Sequence, residues 1–123
     1  MGEKFFVCVE GIYVKSGKVL LVKRGVEPFK GSWHLVGGHV EEHETLKEAL
    51  KREFKEETNL DVKVGNIIDG RVEKTHDRTK LIVSFKIIRS RGEIKLNKEN
   101  VDYGWFSKFP PTCVYDYSKY LNC

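Results

Sequence analysis

Short apolar runs separated by polar turns cover most of this 123-residue sequence and predict a protein built mainly of β-strands. Residues 5–14 are too continuously apolar for a half-exposed strand, so we expect a buried one. A turn at 15–18 leads into a returning strand at 19–23, and residues 61–75 and 79–88 predict a hairpin. Shorter strands are expected at 33–36, 93–96 and 103–107, and a short final helix at 115–121.

One segment has a helical period instead. Thr45 and Glu48 have the spacing of a capping box, which predicts that a helix begins directly after Thr45. Four apolar side chains then recur on one face of that helix: Leu46, Ala49, Leu50 and Phe54. One good helix among many strands predicts an α+β fold.

Three carboxylates on this helix lie where apolar residues are expected. Glu53, Glu56 and Glu57 fall within a wedge of about 100° that overlaps the apolar face. A charged run of this kind is usually a solvated helix face. Here, however, Glu53 and Glu57 form a like-charge pair at the negative end of the helix, which costs about 0.2–0.5 kcal/mol. Carboxylates without thiolate or imidazole suit a hard cation, so the pattern predicts a Mg²⁺ or Mn²⁺ site.

Length and composition predict one domain over residues 1–123 of an ordinary globular protein, with 40% hydrophobic and 33% charged residues. No apolar run approaches a membrane span and no leader is recognised, so a cytoplasmic protein is expected. Cys8, Cys113 and Cys123 lack the spacing of a metal site and are expected to be reduced thiols. The net charge of +4 suits an anionic small-molecule substrate and is too mild to indicate a nucleic-acid partner.

Residues 38–60 resemble the signature of the Nudix hydrolases. The matching positions, at the spacing of that signature, are Gly38, Glu44, Arg52, Glu53, Phe54, Glu56, Glu57 and Leu60. One position departs, because Asn59 stands where the family has Gly. Asn is the residue that best replaces Gly in the left-handed conformation that ends many helices, so the departure is a conservative one.

This resemblance implies a fold, an activity and a set of ligands. The fold is an α/β/α sandwich with a mixed β-sheet, and many members are homodimers. The activity is Mg²⁺- or Mn²⁺-dependent cleavage of a nucleoside diphosphate linked to another group, as in a nucleotide sugar, ADP-ribose or a dNTP. The implied metal ligands are Glu53, Glu56, Glu57 and the Gly38 carbonyl. An ion pair between Glu44 and Arg52 is implied to tie the loop to the helix.

Three residues are candidates for the proton acceptor of the attacking water. Some Nudix enzymes that this chain resembles carry a functional Glu six residues before a Trp, which corresponds here to Glu99 and Trp105. Asp102 and Glu56 are the competing candidates.

Substrate contacts are predicted around the loop at 24–31. Three cations are candidates for binding phosphates, with solvated surface as the alternative: Lys23, Arg24 and Lys30. Three aromatic residues are candidates for stacking on a base, with the core as the alternative: Tyr13, Phe29 and Trp33. Trp105 and Phe106 are expected in the core. No marker of a particular Nudix substrate is recognised at 75–78.

Two other functions are considered. His39, Glu42 and His43 match the H-x-x-E-H pattern of an inverted zinc peptidase, but that site needs both histidines on one helix, and this segment precedes the cap. A Nudix-like module that binds nucleotides without catalysis is the second alternative, and the intact carboxylates argue against it.

Overall fold

The computed structural model describes residues 4–113 and 115–121, in which eight strands, one α-helix and one 3-10 helix occur. In chain order these are β1 Lys4–Ile12, β2 Val14–Lys15, β3 Lys18–Arg24, β4 Trp33–His34, β5 Val36–His39, α1 Leu46–Thr58, β6 Asp61–Lys74, β7 Arg78–Arg91, β8 Asn100–Phe106 and the 3-10 helix Ser118–Tyr120.

The strands form two four-stranded sheets. The first has the order β5-β1-β7-β6, and it is mixed because β1 and β7 are parallel while the other pairs are antiparallel. In the second, β3 pairs antiparallel with β2, β4 and β8. The predicted mixed sheet of an α+β sandwich is therefore confirmed.

Alternate residues of β3 pack into two separate cores on opposite sides of the sheet. Leu20 and Val22 contact the core that contains Phe54 of α1. Leu21 belongs to the second core, together with Tyr117 of the C-terminal segment. Because successive side chains of a strand point to opposite faces, α1 and the C-terminal segment cover opposite faces of the strands. This arrangement gives the molecule three layers.

The ends of α1 are as the sequence predicts. The Thr45 hydroxyl accepts the Glu48 N–H at 3.1 Å, and the Glu48 carboxylate accepts the Thr45 N–H at 2.8 Å, which completes the capping box. Asn59 ends the helix with φ 67° and ψ 8°, a left-handed cap whose N–H donates to the Lys55 carbonyl at 3.0 Å. The substitution of Gly by Asn in the signature therefore preserves the cap conformation.

Several predicted elements have different limits in the structure. The predicted strand at 93–96 is wrong, because the Lys95 N–H and the Glu93 carbonyl bond to the end of α1 rather than to a strand. The final helix is one 3-10 turn, held by buried Tyr117 and Tyr120. The predicted hairpin is confirmed, although its second strand, β7, extends to Arg91. The strand predicted at 103–107 is β8, which begins at residue 100. No helix in the described ranges is long and apolar enough to span a membrane.

Candidate active site

The acidic end of α1 lies against the glycine pair of β5. A Cβ atom added to Gly38 would lie 2.6 Å from Cδ of Glu53, so the Glu53 carboxylate occupies the space that any side chain at position 38 would need. At Gly37 an added Cβ would collide with the backbone of Val9 on β1. Both positions therefore require glycine: Gly38 because the Glu53 carboxylate approaches it closely, and Gly37 because the backbone of β1 does.

Arg52 joins the loop before α1 to its acidic face. Its Nε donates to Glu44 at 2.7 Å and its Nη2 donates to the same carboxylate at 3.0 Å, which confirms the predicted ion pair in a bidentate form. Nη2 also donates to the carbonyl of His39 at 2.9 Å, and Nη1 donates to Glu53 at 2.8 Å and to Glu56 at 3.2 Å. These bonds raise the pKa of Arg52 and hold the pKa of Glu44 below its ordinary value. Arg52 therefore fixes the position of Glu53 relative to β5.

Glu57 is the deepest carboxylate of the helix, with 6% of its surface exposed. Its Oε1 accepts a hydrogen bond from Nδ2 of Asn100 at 3.1 Å, whereas its buried Oε2 has no hydrogen-bond partner. Burial, followed by the neighbouring Glu53 carboxylate, raises the pKa of Glu57 well above its ordinary value. A buried, unpaired carboxylate oxygen beside a second carboxylate is a costly arrangement that a bound cation would relieve.

A cleft of about 450 Å³ opens in front of these carboxylates. Its lining includes Gly38, Glu53 and Glu57. Arg71 also lines it, donates to buried Glu10 at 2.8 Å, and has its guanidinium 4.1 Å from the centre of the Tyr115 ring. The cleft thus contains both a pair of carboxylates from α1 and a paired cation stacked on an aromatic ring.

A second cleft of about 800 Å³ adjoins the first, and the two share five lining residues: Arg24, His34, His39, Glu73 and Lys80. Phe29, which is exposed, and Arg78 also line it. Lys80 and Arg78 both lower the pKa of His39, after the larger effect of burial. The second cleft thus has three cations in its lining, Arg24, Arg78 and Lys80, together with the carboxylates Glu73 and Asp77.

The predicted acids divide into those that reach the first cleft and those that do not. Glu53, Glu57 and Glu99 line it. Glu56 does not line it, because its side chain is 55% exposed and bound to Arg52 on the outer side of the helix. Asp102 is likewise absent from the cleft walls and accepts the N–H of the next residue, Tyr103.

Of the three predicted phosphate-binding cations, only Arg24 lines the clefts. Its Nη1 lies 3.8 Å from Glu99, which itself is 62% exposed. Lys23 lies instead over the ring of Trp33 at 6.0 Å, and Lys30 is exposed on the loop next to Glu27. The structure therefore brings neither lysine to the cleft.

The aromatic residues follow the core alternative except at one position. Tyr13 is buried, and its hydroxyl bonds to Ser90 at 2.7 Å. Trp33 packs edge-on against Phe106, with ring centres 4.9 Å apart. Trp105 and Phe106, predicted in the core, are partly buried and pack against the helix-side core and the second core respectively. Phe29 alone of the three stacking candidates lines a cleft.

The donors of this site fit a hard divalent cation. Glu53 and Glu57 present carboxylates to one cleft, and Glu57 has a buried oxygen without a partner. No group of three or more His, Cys, Asp or Glu side chains in residues 4–113 and 115–121 is arranged to hold a metal ion. A complete coordination shell would thus need backbone, water or substrate oxygens besides these two carboxylates.

The zinc-peptidase alternative does not fit the backbone. His39 ends β5, and His43 has a left-handed φ of 67° in the turn before α1. The two histidines therefore do not share a helical face, which the zinc motif requires.

Sequence reasoning missed five residues of this region, namely Glu10, His34, Arg71, Asn100 and Tyr115. One of them left a signal, since Glu10 is the sole charged residue in the otherwise apolar stretch 5–14. The others lie in ordinary polar or aromatic contexts, and their roles depend on contacts between distant parts of the chain.

Comparison with known proteins agrees with this geometry. The family model described as NUDIX domain matches residues 6–108, and the chain belongs to the Nudix family. It is therefore a hydrolase of phosphoric anhydride bonds.

Two relatives show the range of named activities. The chain is 36% identical over 119 residues to an ADP-ribose pyrophosphatase of Methanocaldococcus jannaschii, covering 94% of this chain and 70% of that protein. It is 32% identical over 123 residues to the nucleoside triphosphatase NudI of Escherichia coli, covering 85% and 82% of the two chains.

The fold is similar to that of solved Nudix structures. A MutT NUDIX hydrolase from Burkholderia pseudomallei superposes with a TM-score of 0.87 at 22% identity, covering 98% of both chains. The E. coli ORF135 protein superposes with a TM-score of 0.81 at 22% identity, covering 98% of this chain and 88% of that one.

Proposed function

We propose that this protein is a Mg²⁺- or Mn²⁺-dependent pyrophosphohydrolase that cleaves the diphosphate of a nucleoside diphosphate linked to another group. The observation that carries the proposal is the partnerless Oε2 of Glu57, buried beside the Glu53 carboxylate in the lining of the cleft. Such an arrangement is destabilising by itself and is typical of a site whose ligand is a cation.

Residues at the acidic end of α1 would hold the cation, and others would hold the substrate. Glu53 and Glu57 are the proposed carboxylate ligands, with the Gly38 carbonyl as a further ligand. Glu56, which the resemblance implies as a third carboxylate ligand, is 55% exposed and bound to Arg52, so it would have to leave Arg52 to reach the cation. A cation held there would supply charge neutralisation at phosphorus and lower the pKa of a bound water. Arg24, which lines both clefts, would neutralise phosphate oxygens of the substrate.

Arg52 and Glu44 act by positioning. Because Arg52 bonds to Glu44, to the His39 carbonyl and to Glu53, it holds the loop, β5 and the helix in one arrangement. A carboxylate shifted by about 1 Å in such a site costs on the order of 10²-fold in rate.

The named activities of the relatives determine which substrates to assay first. ADP-ribose follows from the M. jannaschii relative and nucleoside triphosphates from NudI. The panel also includes a sugar nucleotide, an oxidised dNTP and a dinucleotide polyphosphate, each assayed for phosphate-containing products with Mg²⁺ and with Mn²⁺.

Glu57→Gln and Glu53→Gln test the metal assignment. We expect both variants to abolish turnover and to weaken Mn²⁺ binding in calorimetry while remaining folded, because the repulsion between the two carboxylates is relieved. Glu42→Gln is the matched control, an exposed acid in the turn before the helix. Near-normal activity of either variant at saturating metal would refute the assignment. Loss of activity in Glu42→Gln would favour the zinc motif, and nucleotide binding without turnover would favour the non-catalytic module.

Glu99 is the proposed proton acceptor. It lines the cleft, whereas its competitors Asp102 and Glu56 do not. A pH–rate comparison of Glu99→Gln, Asp102→Asn and Glu56→Gln at saturating metal separates them. We expect the acidic limb to disappear only in Glu99→Gln, with a fall in kcat of about 10²–10⁴. Wild-type behaviour of Glu99→Gln would overturn this role.

A further inference from the structure

In the described part of the chain, the buried side-chain polar atoms that lack a hydrogen-bond partner lie in one connected group. They are Oε2 of Glu57, Oδ1 of Asn100 and Nε2 of His34. Asn100 contacts both of the other residues, because it donates to Glu57 at 3.1 Å and its side chain lies against the His34 ring. Buried polar groups are nearly always paired, so three exceptions in contact point to one shared purpose.

The orientation of the Asn100 amide is fixed by its neighbours. Its Nδ2 donates to Oε1 of Glu57 and, at 3.3 Å, to Oδ1 of Asn97. The Asn97 atom must be the oxygen, because it also accepts the backbone N–H groups of Glu99 and Asn100. A rotated Asn100 amide would place its oxygen against a carboxylate and a carbonyl oxygen. Asn100 therefore presents its NH₂ to Glu57 and its Oδ1 away from it.

The ring of His34 supports the other side of this amide. Its Nδ1 lies 2.8 Å from the Leu35 carbonyl and must donate to it, because a carbonyl only accepts. Burial lowers the pKa of His34 and favours the neutral ring, whose Nε2 then carries no proton, so the ring supports the Asn100 amide by packing against it rather than by a hydrogen bond. His34 and Asn100 belong to β4 and β8, which pair with opposite edges of β3, so the contact bridges two strands.

We propose that Asn100 is a positioning residue for Glu57: it holds Oε1 so that Oε2 faces the cation site, and His34 holds Asn100 in turn. The inference rests on the proposed function, because it assumes that Glu57 binds a cation. Outer partners that orient a ligating carboxylate typically contribute 10–100-fold to metal affinity. Asn100 is 4% exposed and lies 43 residues beyond Glu57 in the chain.

The test is direct binding of Mn²⁺ to the metal-free, nucleotide-free protein, followed by the electron paramagnetic resonance signal of free Mn²⁺. Asn100→Leu keeps the branched shape and the number of heavy atoms of the side chain but removes its hydrogen-bonding groups, and Asn100→Ala is the second variant in case the bulkier Leu folds poorly. We expect Asn100→Leu to weaken Mn²⁺ binding about 10–100-fold. His34→Leu is expected to weaken it in the same direction and by less.

Asn97→Ala is the matched control. Asn97 bonds to backbone groups of the same loop and to Asn100, but not to Glu57. After correction for the folded fraction measured by circular dichroism, Asn97→Ala should weaken Mn²⁺ binding by less than Asn100→Leu, because it removes one partner of the Asn100 amide and leaves the donor to Glu57 in place. In activity assays, excess Mn²⁺ should restore kcat in Asn100→Leu and should not restore it in Glu57→Gln.

The outcomes separate the two proposals. If wild type and Glu57→Gln bind Mn²⁺ equally, the proposed metal site is refuted. If Glu57→Gln loses binding while both Asn100 variants bind like the wild type, only the positioning role is refuted. Equal losses in Asn97→Ala and Asn100→Leu would also refute it, because the effect would then come from loop order. If His34→Leu binds Mn²⁺ like the wild type, His34 has no part in positioning Asn100.

Discussion

Gly38→Ala moves a carboxylate of the site without changing any charge. The added Cβ would lie 2.6 Å from Cδ of Glu53 and 2.7 and 2.8 Å from its two oxygens. Ordinary contact begins at 3.4 Å, so the carboxylate must retreat by about 0.8 Å from the added atom. Its Oε1 is held by Arg52 at 2.8 Å, and this bond opposes the shift. The backbone itself accepts alanine, because Gly38 is not among the residues with positive φ.

We expect kcat/KM to fall on the order of 10²-fold, because a shift approaching 1 Å misplaces a group that must meet the substrate or its cation precisely. Stability should fall by about 1 kcal/mol, the low end of the range for overpacked positions, because the obstacle is a side chain at a cleft rather than backbone. The measurements are steady-state hydrolysis with the substrate that the panel identifies, Mn²⁺ binding, and thermal unfolding by circular dichroism.

Gly70→Ala is the matched control for this prediction. Gly70 is also a strand glycine, but an added Cβ meets no atom closer than the Ile82 carbonyl at 3.9 Å. It should leave both activity and metal binding unchanged. Wild-type kcat/KM in a folded Gly38→Ala protein would show that the position of Glu53 does not limit turnover, and the reasoning would fail.

Three further predictions concern stability. Asn59→Val should cost about 1–2 kcal/mol in urea unfolding, since a β-branched residue fits φ 67° badly, whereas Asn59→Gly should be nearly neutral; equal midpoints for the two would contradict the cap. Hydrogen bonds from Arg52 lower the pKa of Glu44 below 4.5, so its stabilising effect is present above pH 4.5 and lost as pH falls through the lowered pKa. The difference in melting temperature between wild type and Glu44→Gln should therefore shrink on acidification, and a constant difference would refute the linkage. Glu10→Leu leaves the partly buried Arg71 without its main partner and should cost about 3–5 kcal/mol, most of which Glu10→Leu/Arg71→Leu should recover. A double variant no more stable than the single one would show that the lost pair is not the cause.

Agreement between sequence and structure is best where the physics is local. The capping box joins residues three positions apart, and the left-handed cap at Asn59 depends on that residue and its own helix end. The apolar face of α1 follows from the helical period, and the spacing of the eight matching positions between Gly38 and Leu60 sufficed to indicate the family. The ion pair of Glu44 with Arg52 was implied by that resemblance and is present in the structure.

Agreement is poorest where a segment's partners lie far away in the chain. Residues 93–96 have the composition of a strand, but their backbone groups bond to the end of α1. Lys23 is adjacent to Arg24 in sequence, yet only Arg24 lines the clefts, while Lys23 lies over the Trp33 ring. The pairing of β3 with β8 shifts by one residue between these two positions. The sequence pattern could not supply that difference without the register of β3 against β8.

The sequence by itself determined the helix, its caps, the close spacing of the acids and the Nudix signature. Each of these is set either by interactions within about one turn of helix or by a fixed motif. Only the tertiary structure decided which acids face the cleft and which atoms lack partners. Glu57 meets Asn100 across 43 positions, and Arg71 meets Glu10 across 61. These contacts exist because β1 pairs in parallel with β7, and β3 pairs with β8, in one particular register. Burial and pairing are properties of that register, and it is the packing of both cores together that selects it.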